Sequence, residues 1–306
     1  MDLSDIPEEH RARSGRGGQT HFPVPGSKRN LLVVTGGHAF QRDPFYEIFE
    51  SNTQIEWSAV EHPAAQLLFT PEIARHFDCY VLYDMPGIQF VRDGDRKPIF
   101  HAPPDFYQQG LLAMLEQGVP LVVLHHAIAA WPAWPLGEDI LGGRFHYQPY
   151  SDGDALRPDS GYRLNVTHRI TPVSGHPIVE GLAPFDLTDE LYLFHVHAGD
   201  VEPLLVSDFR FQQDQFFSAR RALEGHMNDR QGWDHPSGTA LIGWVKHYGN
   251  SPIVYLQCGD GPLTYGDPQF RRLLYNAIDW ACSPQAREWV RKRRGKMNGT
   301  ALENVT

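Results

Sequence analysis

Four short apolar runs constrain the fold of this chain most strongly. They lie at Leu31–Val34, Ile55–Val60, Tyr80–Tyr83 and Val119–Leu124. Runs of this kind are typical of strands whose two faces are both buried in a parallel sheet. Helical segments separate them along the chain, and this alternation predicts an α/β protein with a doubly wound, mostly parallel sheet and helices on both faces.

The spacing of apolar residues predicts further elements. Asp105–Gln117 has helical spacing, and Gly118 is a suitable C-terminal stop. After residue 145 the pattern changes, and the expected elements are strands at Tyr162–Thr167, Val201–Val206, Thr239–Val245 and Ile253–Leu256, then an amphipathic helix at Phe270–Ala281.

These elements indicate one domain with polar ends. We expect a polar N-terminal arm at residues 1–28, the α/β domain at 29–283, and a polar, basic C-terminal tail at 284–306. A long polar and aromatic stretch lies between Asp208 and Ser237. Structureless segments of that length are uncommon in compact domains and often serve as lids or partner-binding elements. The domain is therefore expected to carry long loop insertions, one of them at 209–236.

Charge and cysteine content exclude several functional classes. The net charge is −10 over 306 residues with histidine neutral, which disfavours nucleic acid and anionic membranes as partners. The three cysteines are widely spaced, as is typical of reduced thiols. No apolar run approaches the roughly 18 residues that a membrane-spanning helix needs, and Met1–Arg29 lacks the apolar segment of a secretory signal. We therefore expect a cytoplasmic protein.

Candidate site residues are those that follow the buried runs, because open α/β sheets bind ligands outside the carboxyl ends of their strands. His38 follows two glycines after the first run; it is either a surface histidine at a turn or one aimed into a site. Asp84 follows the third run, where it could orient a histidine, accept a substrate hydroxyl or cap a turn. No dinucleotide-binding or Walker A motif is present, so no nucleotide is proposed.

Two adjacent histidines follow the fourth run. A hydrolase or amidotransferase would hold Ser or Cys at this corner, so His125 and His126 leave acyl-enzyme chemistry unsupported. Adjacent strand residues point to opposite faces, so we expect one of the pair to enter the pocket. Trp131 and Trp134 come next and could stack against the C–H face of a sugar or pack in the core or a lid.

Later segments supply the remaining candidates. Arg144 and His146 could make polar contacts with a ligand. The segment Thr188–His197 concentrates acids and histidines, and its His195 and His197 are two residues apart. On a strand that spacing places both on one face, which suits a pair of metal ligands; surface or hydrogen-bonded histidines are the alternative. Near the end of the last buried strand, Cys258 is expected to be structural.

Several motifs occur together in a characteristic order. They are Gly36-Gly37-His38, His125-His126 followed by the tryptophans, Leu141-Gly142-Gly143-x-Phe145, His176-Pro177-Ile178, Asp189-Glu190-Leu191-Tyr192, and Tyr248-Gly249 with Gly259. With them, roughly residues 30–282 resemble the ThuA-like (trehalose utilisation) family of the class I glutamine amidotransferase-like superfamily. The sequence departs from many members at Gly259-Asp260, where they have Gly-His, and at Gln148-Pro149, where they have His-Pro.

The resemblance implies a flavodoxin-like fold and a bacterial role in carbohydrate catabolism, on a sugar or glycoside such as a 3-keto derivative. The partner is then a small carbohydrate; a homodimer is compatible with the sequence but not required by it. The chain is not expected to be a glutamine amidotransferase, because the nucleophile is missing. The alternatives are a non-catalytic sugar-binding or regulatory module, and a partner protein of a sugar oxidoreductase that uses the 209–236 insertion.

A keto-sugar lyase, hydrolase or isomerase needs a base, an acid and a positive group near the ketone. We expect the catalytic groups to be among His125, His126, Asp189 and Glu190, with Glu190 or one of the two histidines as base. The expected substrate-binding residues are His38, Asp84, Trp131, Trp134, Arg144, His146, Tyr192 and Asp260. A divalent metal is a further candidate cofactor, and His195 and His197 are its candidate ligands.

Overall fold

The computed structural model describes residues 28–90, 98–152, 155–173 and 175–303; the expected N-terminal arm, apart from Lys28, lies outside these ranges. The strands are β1 (Arg29–Gly36), β2 (Ile55–Glu61), β3 (Cys79–Asp84), β4 (Ile88–Gln89), β5 (Ile99–Phe100), β6 (Leu121–Leu124), β7 (Tyr150–Asp152), β8 (Ala155–Arg157), β9 (Gly161–Pro172), β10 (Phe185–Leu193), β11 (Glu202–Ser207), β12 (Phe217–Ser218), β13 (Leu241–Tyr248) and β14 (Ser251–Leu256).

The helices are α1 (Arg42–Glu50), α2 (Pro71–Ala74), α3 (Asp105–Gln117), α4 (Leu136–Leu141), α5 (Ala219–Leu223), α6 (Pro262–Tyr265), α7 (Pro268–Ala281) and α8 (Pro284–Glu303). Short 3₁₀ turns occur at Ala64–Leu68, His125–Ala129, Pro177–Val179 and Gln213–Gln215. None of the described helices combines the length and the apolar character that crossing a membrane requires.

The central sheet has ten strands and two differently built halves. Its order is β10-β9-β11-β13-β14-β6-β3-β1-β2, with β12 also paired to β9. Strands β14, β6, β3, β1 and β2 run parallel to one another, and the strands from β13 to β10 pair antiparallel. The expected α/β fold is confirmed, with the parallel half built from the apolar runs.

Both faces of β1, β3, β6 and β14 are covered, but the edge strand β2 is largely open to solvent, so the expectation of two buried faces was wrong for the second apolar run. In β1, Leu31 and Val33 belong to one core, while Leu32 and Val34 belong to the other. Helices α1 and α7 contribute buried residues to the first core, and α3 contributes to the second. Because neither face meets water, the four central positions of β1, Leu31–Val34, are all apolar, and this is why the strand reads as an unbroken apolar run.

Two segments expected to be irregular or tail-like are ordered against the body. The 209–236 insertion contains α5 and β12, and its Phe216 and Trp233 are buried in the core. The expected C-terminal tail forms α8, in which Ala286 and Val290 are buried. Apolar side chains at intervals in both polar segments anchor them, so neither is structureless.

A bulge between β9 and β10 shapes the antiparallel edge. Pairing runs in register up to Asp189 and resumes at Leu191 only after β9 has used one extra residue. Asn165, in the bulged part of β9, has φ +54°, a left-handed conformation that Asn tolerates better than most residues. Beyond the bulge both faces of β10 are buried, and the strand lies against the carboxyl ends of β14 and β6.

Candidate functional site

The carboxyl ends of β1, β3, β6 and β14 lie at one edge of the sheet, because these strands are parallel. The candidates that follow them, His38, Asp84, His125 and Asp260, are therefore collected there. Glu190 joins them from β10, and its carboxylate lies 3.2 Å from His125 Nε2. The antiparallel half thus contributes to a site that the parallel half supports.

His125 forms a strained corner between β6 and the following 3₁₀ turn. Its φ of +47° is in the left-handed region, which costs a non-glycine residue roughly 1–2 kcal/mol. The corner is fixed by the Tyr255 hydroxyl, which donates to the His125 carbonyl at 3.1 Å, and by His125 Nδ1, which lies 2.6 Å from the Gln257 carbonyl. His125 and His126 lie on this turn and not on a strand, so they do not point to opposite faces of the sheet. Their ring centroids are 5.6 Å apart.

Three oxygen-bearing side chains surround Nε2 of His125. They are the Tyr192 hydroxyl at 2.9 Å, the Glu190 carboxylate at 3.2 Å and the Asp260 carboxylate at 3.5 Å. Burial alone would lower the pKa of His125, but the carboxylates of Asp260 and Glu190 outweigh it and raise the pKa to about 10. His125 is therefore a buried imidazolium at neutral pH, placed between two carboxylates. The bond to His125 lowers the pKa of Asp260.

Access from solvent is graded across this cluster. The side chain of Asp260 is 38% exposed and that of Glu190 is 10% exposed, whereas His125 is fully buried. A ligand arriving from solvent therefore meets Asp260 and then Glu190 before the imidazolium.

Asp189 lies beneath this cluster and holds the backbone together. Its carboxylate accepts the backbone N–H of Glu190 at 3.0 Å, of Gly259 at 2.8 Å and of Asp260 at 2.9 Å. Burial raises the pKa of Asp189, although the positive charge of His125 and the amide donors act in the opposite direction. These bonds join β10 to the end of β14, which makes Asp189 a positioning residue for Glu190 and Asp260.

Asp189→Asn should lower the free energy of unfolding by about 2 kcal/mol, because the new amide group cannot accept from all three N–H donors and leaves a buried donor unsatisfied. Urea denaturation measures the change. Asp186→Asn is the matched control: it lies on the same strand, but its ion pair with Arg169 is exposed at 3.0 Å, and such pairs contribute little. Equal stability of the two variants would contradict a positioning role for Asp189.

His38 and His126 form a second, uncharged pair in the site. Their ring centroids are 4.4 Å apart. Burial and the nearby charge of His125 lower the pKa of both, that of His126 well below its usual range. The Nε2 of His126 faces the Tyr83 carbonyl at 3.4 Å and so carries the proton. This geometry makes His126 a weaker candidate for the base than Glu190.

A histidine that the sequence analysis did not select completes this edge. His62, directly after β2, pairs with Asp84 at 2.8 Å, and both side chains are almost fully buried. Of the roles considered for Asp84, orientation of a histidine is the one that the geometry favours. Applying the strand-end rule to the second apolar run would have identified His62.

The two tryptophans after the histidines are buried. Trp131 and Trp134 are each 7% exposed. Trp131, itself at φ +51°, contacts the rings of His62 and Tyr107 with centroids 5.7 Å and 5.6 Å away. Packing is thus the role that both rings have in the structure, and neither presents a broad face on which a sugar could stack.

The remaining candidates gather elsewhere, around Glu138 of α4. Glu138 lies 3.0 Å from His146 Nε2 and 3.1 Å from His197 Nε2. Burial would raise the pKa of Glu138, but these two histidines lower it to about 2. Arg144 is buried nearby, and burial lowers its pKa to about 10. Nothing in the sequence spacing connects Glu138 to these histidines, so sequence reasoning missed it.

Two groups of described side chains have the geometry to hold a metal ion. One is His125, Glu190 and Asp260; the other is Glu138, His195 and His197. Cys258 belongs to neither: it is buried, and burial raises the pKa of its thiol well above the usual value. It remains an unreactive core residue, as expected.

Comparison with known proteins gives a family match and a fold match. The model of the ThuA family, described as trehalose utilisation, matches residues 102–281. Among solved structures, a ThuA-like protein from Parabacteroides merdae is 17% identical with a TM-score of 0.58, over 84% of this chain and 90% of that one. A ThuA-like protein from Bacteroides uniformis is 15% identical with a TM-score of 0.51, over 86% and 95%. At these identities the structures show a shared fold.

The search of curated proteins gives no match. The family match therefore carries the comparison, and it covers more than half of the chain, including the corner at His125 and the segment with Glu190.

Proposed function

The chain belongs to the trehalose-utilisation (ThuA) family, and from this premise we propose that it is a carbohydrate-catabolic enzyme that removes a proton next to the ketone of a 3-keto sugar or glycoside. The observation that carries the proposal is the pair of carboxylates, Glu190 and Asp260, held on the buried imidazolium of His125. One carboxylate is enough to form an ion pair with the imidazolium. The second carboxylate here, that of Asp260, is open to solvent.

The proposed first step is general base catalysis by Glu190. A ketone acidifies the neighbouring C–H bond, so a positioned carboxylate can take that proton while the bonding electrons move to the ketone oxygen. The resulting enolate has two fates: it expels a substituent from the adjacent carbon, or it is protonated at another carbon. Elimination, hydrolysis by elimination and addition, and isomerisation all share this step.

The charge that develops on the ketone oxygen needs a donor. The Tyr192 hydroxyl lies 2.9 Å from Nε2 of His125, and burial raises the pKa of Tyr192 well above its usual value, so it remains a neutral O–H donor. The imidazolium beside it favours negative charge in the site. His125 is fully buried and therefore acts through Tyr192 and the two carboxylates, as a positioning residue.

The test compares trehalose and a simple methyl glucoside with their 3-keto forms. Each is incubated with the purified chain in D₂O and followed by proton NMR. We expect the signal of the proton next to the ketone to disappear by exchange, and products to form, for the keto forms alone.

Equal consumption of the parent sugars would overturn the proposal, because their C–H bonds are not acidified. Shifted sugar signals without exchange or products would also overturn it, in favour of a sugar-binding module. Glu180→Gln is a suitable control variant, because Glu180 is exposed and lies outside the site.

A further inference from the structure

A second cluster of histidines and a carboxylate lies outside the site that contains Glu190. One ligand atom from each of Glu138, His195 and His197 lies within 4.8 Å of the others. We propose that this cluster, the Glu138 cluster, binds a divalent transition-metal ion of the zinc class. The proposal does not depend on the proposed function, because its test measures metal binding.

The backbone brings the three side chains together. Helix α4 ends at Gly142, which has φ +82° and so turns the chain sharply. The Gly142 carbonyl accepts the N–H of His197 at 2.9 Å, and Gly143 forms a β-bridge with Val196. The segment with the two histidines is therefore tied to the end of the helix that carries Glu138, and the cluster does not depend on flexible loops.

The carboxylate of Glu138 is already oriented toward this cluster. One of its oxygens lies 3.1 Å from His197 Nε2, and the other lies 3.0 Å from His146 Nε2. His146 is in turn fixed, since its ring stacks on Tyr150 with centroids 3.5 Å apart and its backbone N–H donates to Ser160 Oγ at 2.8 Å. Such outer partners hold ligands in position at metal sites, so His146 is assigned the orienting role.

The residue types select the ion. Two imidazoles and one carboxylate are a common zinc set, with ligand atoms about 2.0–2.2 Å from the ion. In a tetrahedral arrangement these atoms would be roughly 3.4 Å apart. The 3.1 Å between Glu138 and His197 Nε2 is close to this value, and a ring nitrogen of His195 lies within 4.8 Å of both ligand atoms. Calcium and magnesium prefer oxygen ligands.

The charges of the neighbouring side chains favour a cation. Arg144 is buried within the electrostatic reach of Glu138 and Asp139, and Lys246 donates to the Asp139 carbonyl. Asp200 also lies within the electrostatic reach of Lys246, so three carboxylates neighbour two cations. The bond to Glu138 raises the pKa of His197, so a metal ion would displace that proton as it binds. The side chains of Glu138 and His197 are 15% and 23% exposed, so an ion has a route from solvent.

A cavity adjoins the cluster. His195 lines a space of about 300 Å³ together with Tyr150, Ser160 and His235. An ion held by His195 would therefore lie at the wall of this cavity. Three protein ligands leave one tetrahedral position for water or a ligand oxygen, the arrangement of catalytic rather than structural zinc sites.

The test is a titration of the full chain, without a polyhistidine tag and stripped with EDTA, with Zn²⁺ in competition with a chromophoric chelator. We expect one ion per chain at submicromolar concentration. Glu138→Gln and His197→Gln should each weaken zinc binding by at least about 100-fold, and His146→Gln by about 10- to 100-fold. Co²⁺ added to the unaltered chain should give the visible absorption of a four-coordinate site with nitrogen ligands.

His125→Gln and Glu190→Gln are the matched controls, because they remove residues of the other candidate metal group; both should bind zinc as the unaltered chain does. Loss of zinc binding in these two with retention in Glu138→Gln would overturn the proposal, as would the absence of stoichiometric binding. His146→Gln leaves the direct ligands in place, so it tests the site even if a ligand variant fails to fold.

Discussion

Glu190→Gln should lower kcat on a 3-keto glucoside by about 10³-fold and change KM little, because it removes the base and keeps the size of the side chain. Glu190 is the better-placed base for geometric reasons. Its carboxylate is bonded to His125 and partly exposed, whereas His126 is buried with Nε2 toward the Tyr83 carbonyl. Rates of product formation and of proton exchange in D₂O measure the effect.

Two comparisons decide whether this loss belongs to the chemistry. Glu180→Gln should keep full activity, since its side chain is on the surface. Urea denaturation should show that Glu190→Gln is folded at the assay temperature. Activity of the folded variant within tenfold of the unaltered chain would rule out Glu190 as the base.

The free energy of unfolding should fall as pH rises from 7 to 9, by about 1.4 kcal/mol for each pH unit. The pKa of His125 rises from an ordinary 6.5 to about 10 in the folded chain. Between these values the folded state holds a proton that the unfolded state has released. The stability that His125 contributes is therefore complete below pH 6.5 and is lost as pH rises through 10.

Urea denaturation at pH 7, 8 and 9 measures this slope, and His125→Gln should remove most of it. His168→Gln is the matched control: His168 is buried against Ser207 at 2.8 Å, and burial lowers its pKa to about 4. It is neutral across this range, so its variant should retain the slope of the unaltered chain. A slope unchanged in His125→Gln would mean that His125 is not the buried cation.

Most of the parallel half could be predicted from local pattern because β1, β3, β6 and β14 are buried on both faces; β2 was also assigned as a strand, although it is a largely exposed edge strand. The helix at Asp105–Gln117 was predicted with both its bounds, since Gly118 adopts φ +86° and ends it as expected. The strand at Phe185–Leu193 was not assigned, because its segment mixes acids with apolar residues and only half of it alternates. Its burial depends on the bulge at Asn165, and nothing local to the strand reveals that.

The site was predicted as a set of residues and not as an arrangement. The strand-end rule identified His125, His38 and Asp260, because parallel strands deliver their ends to one edge. It could not pair Glu190 with His125, which lies 65 residues away in the chain, or separate these residues from the Glu138 cluster. Glu190 reaches His125 from β10 in the antiparallel half, and the Glu138 cluster joins helix α4 to the segment that follows β10.

The left-handed corner at His125 separates the shape of this edge from its chemistry. The backbone of this corner is held by the Tyr255 hydroxyl, which donates to the His125 carbonyl and so does not depend on the side chain at this position, whereas the Gln257 carbonyl contacts the His125 ring itself. A substitution at this corner should therefore change the group that is presented to the site and remove the contact with Gln257, while the bond from Tyr255 to the backbone remains.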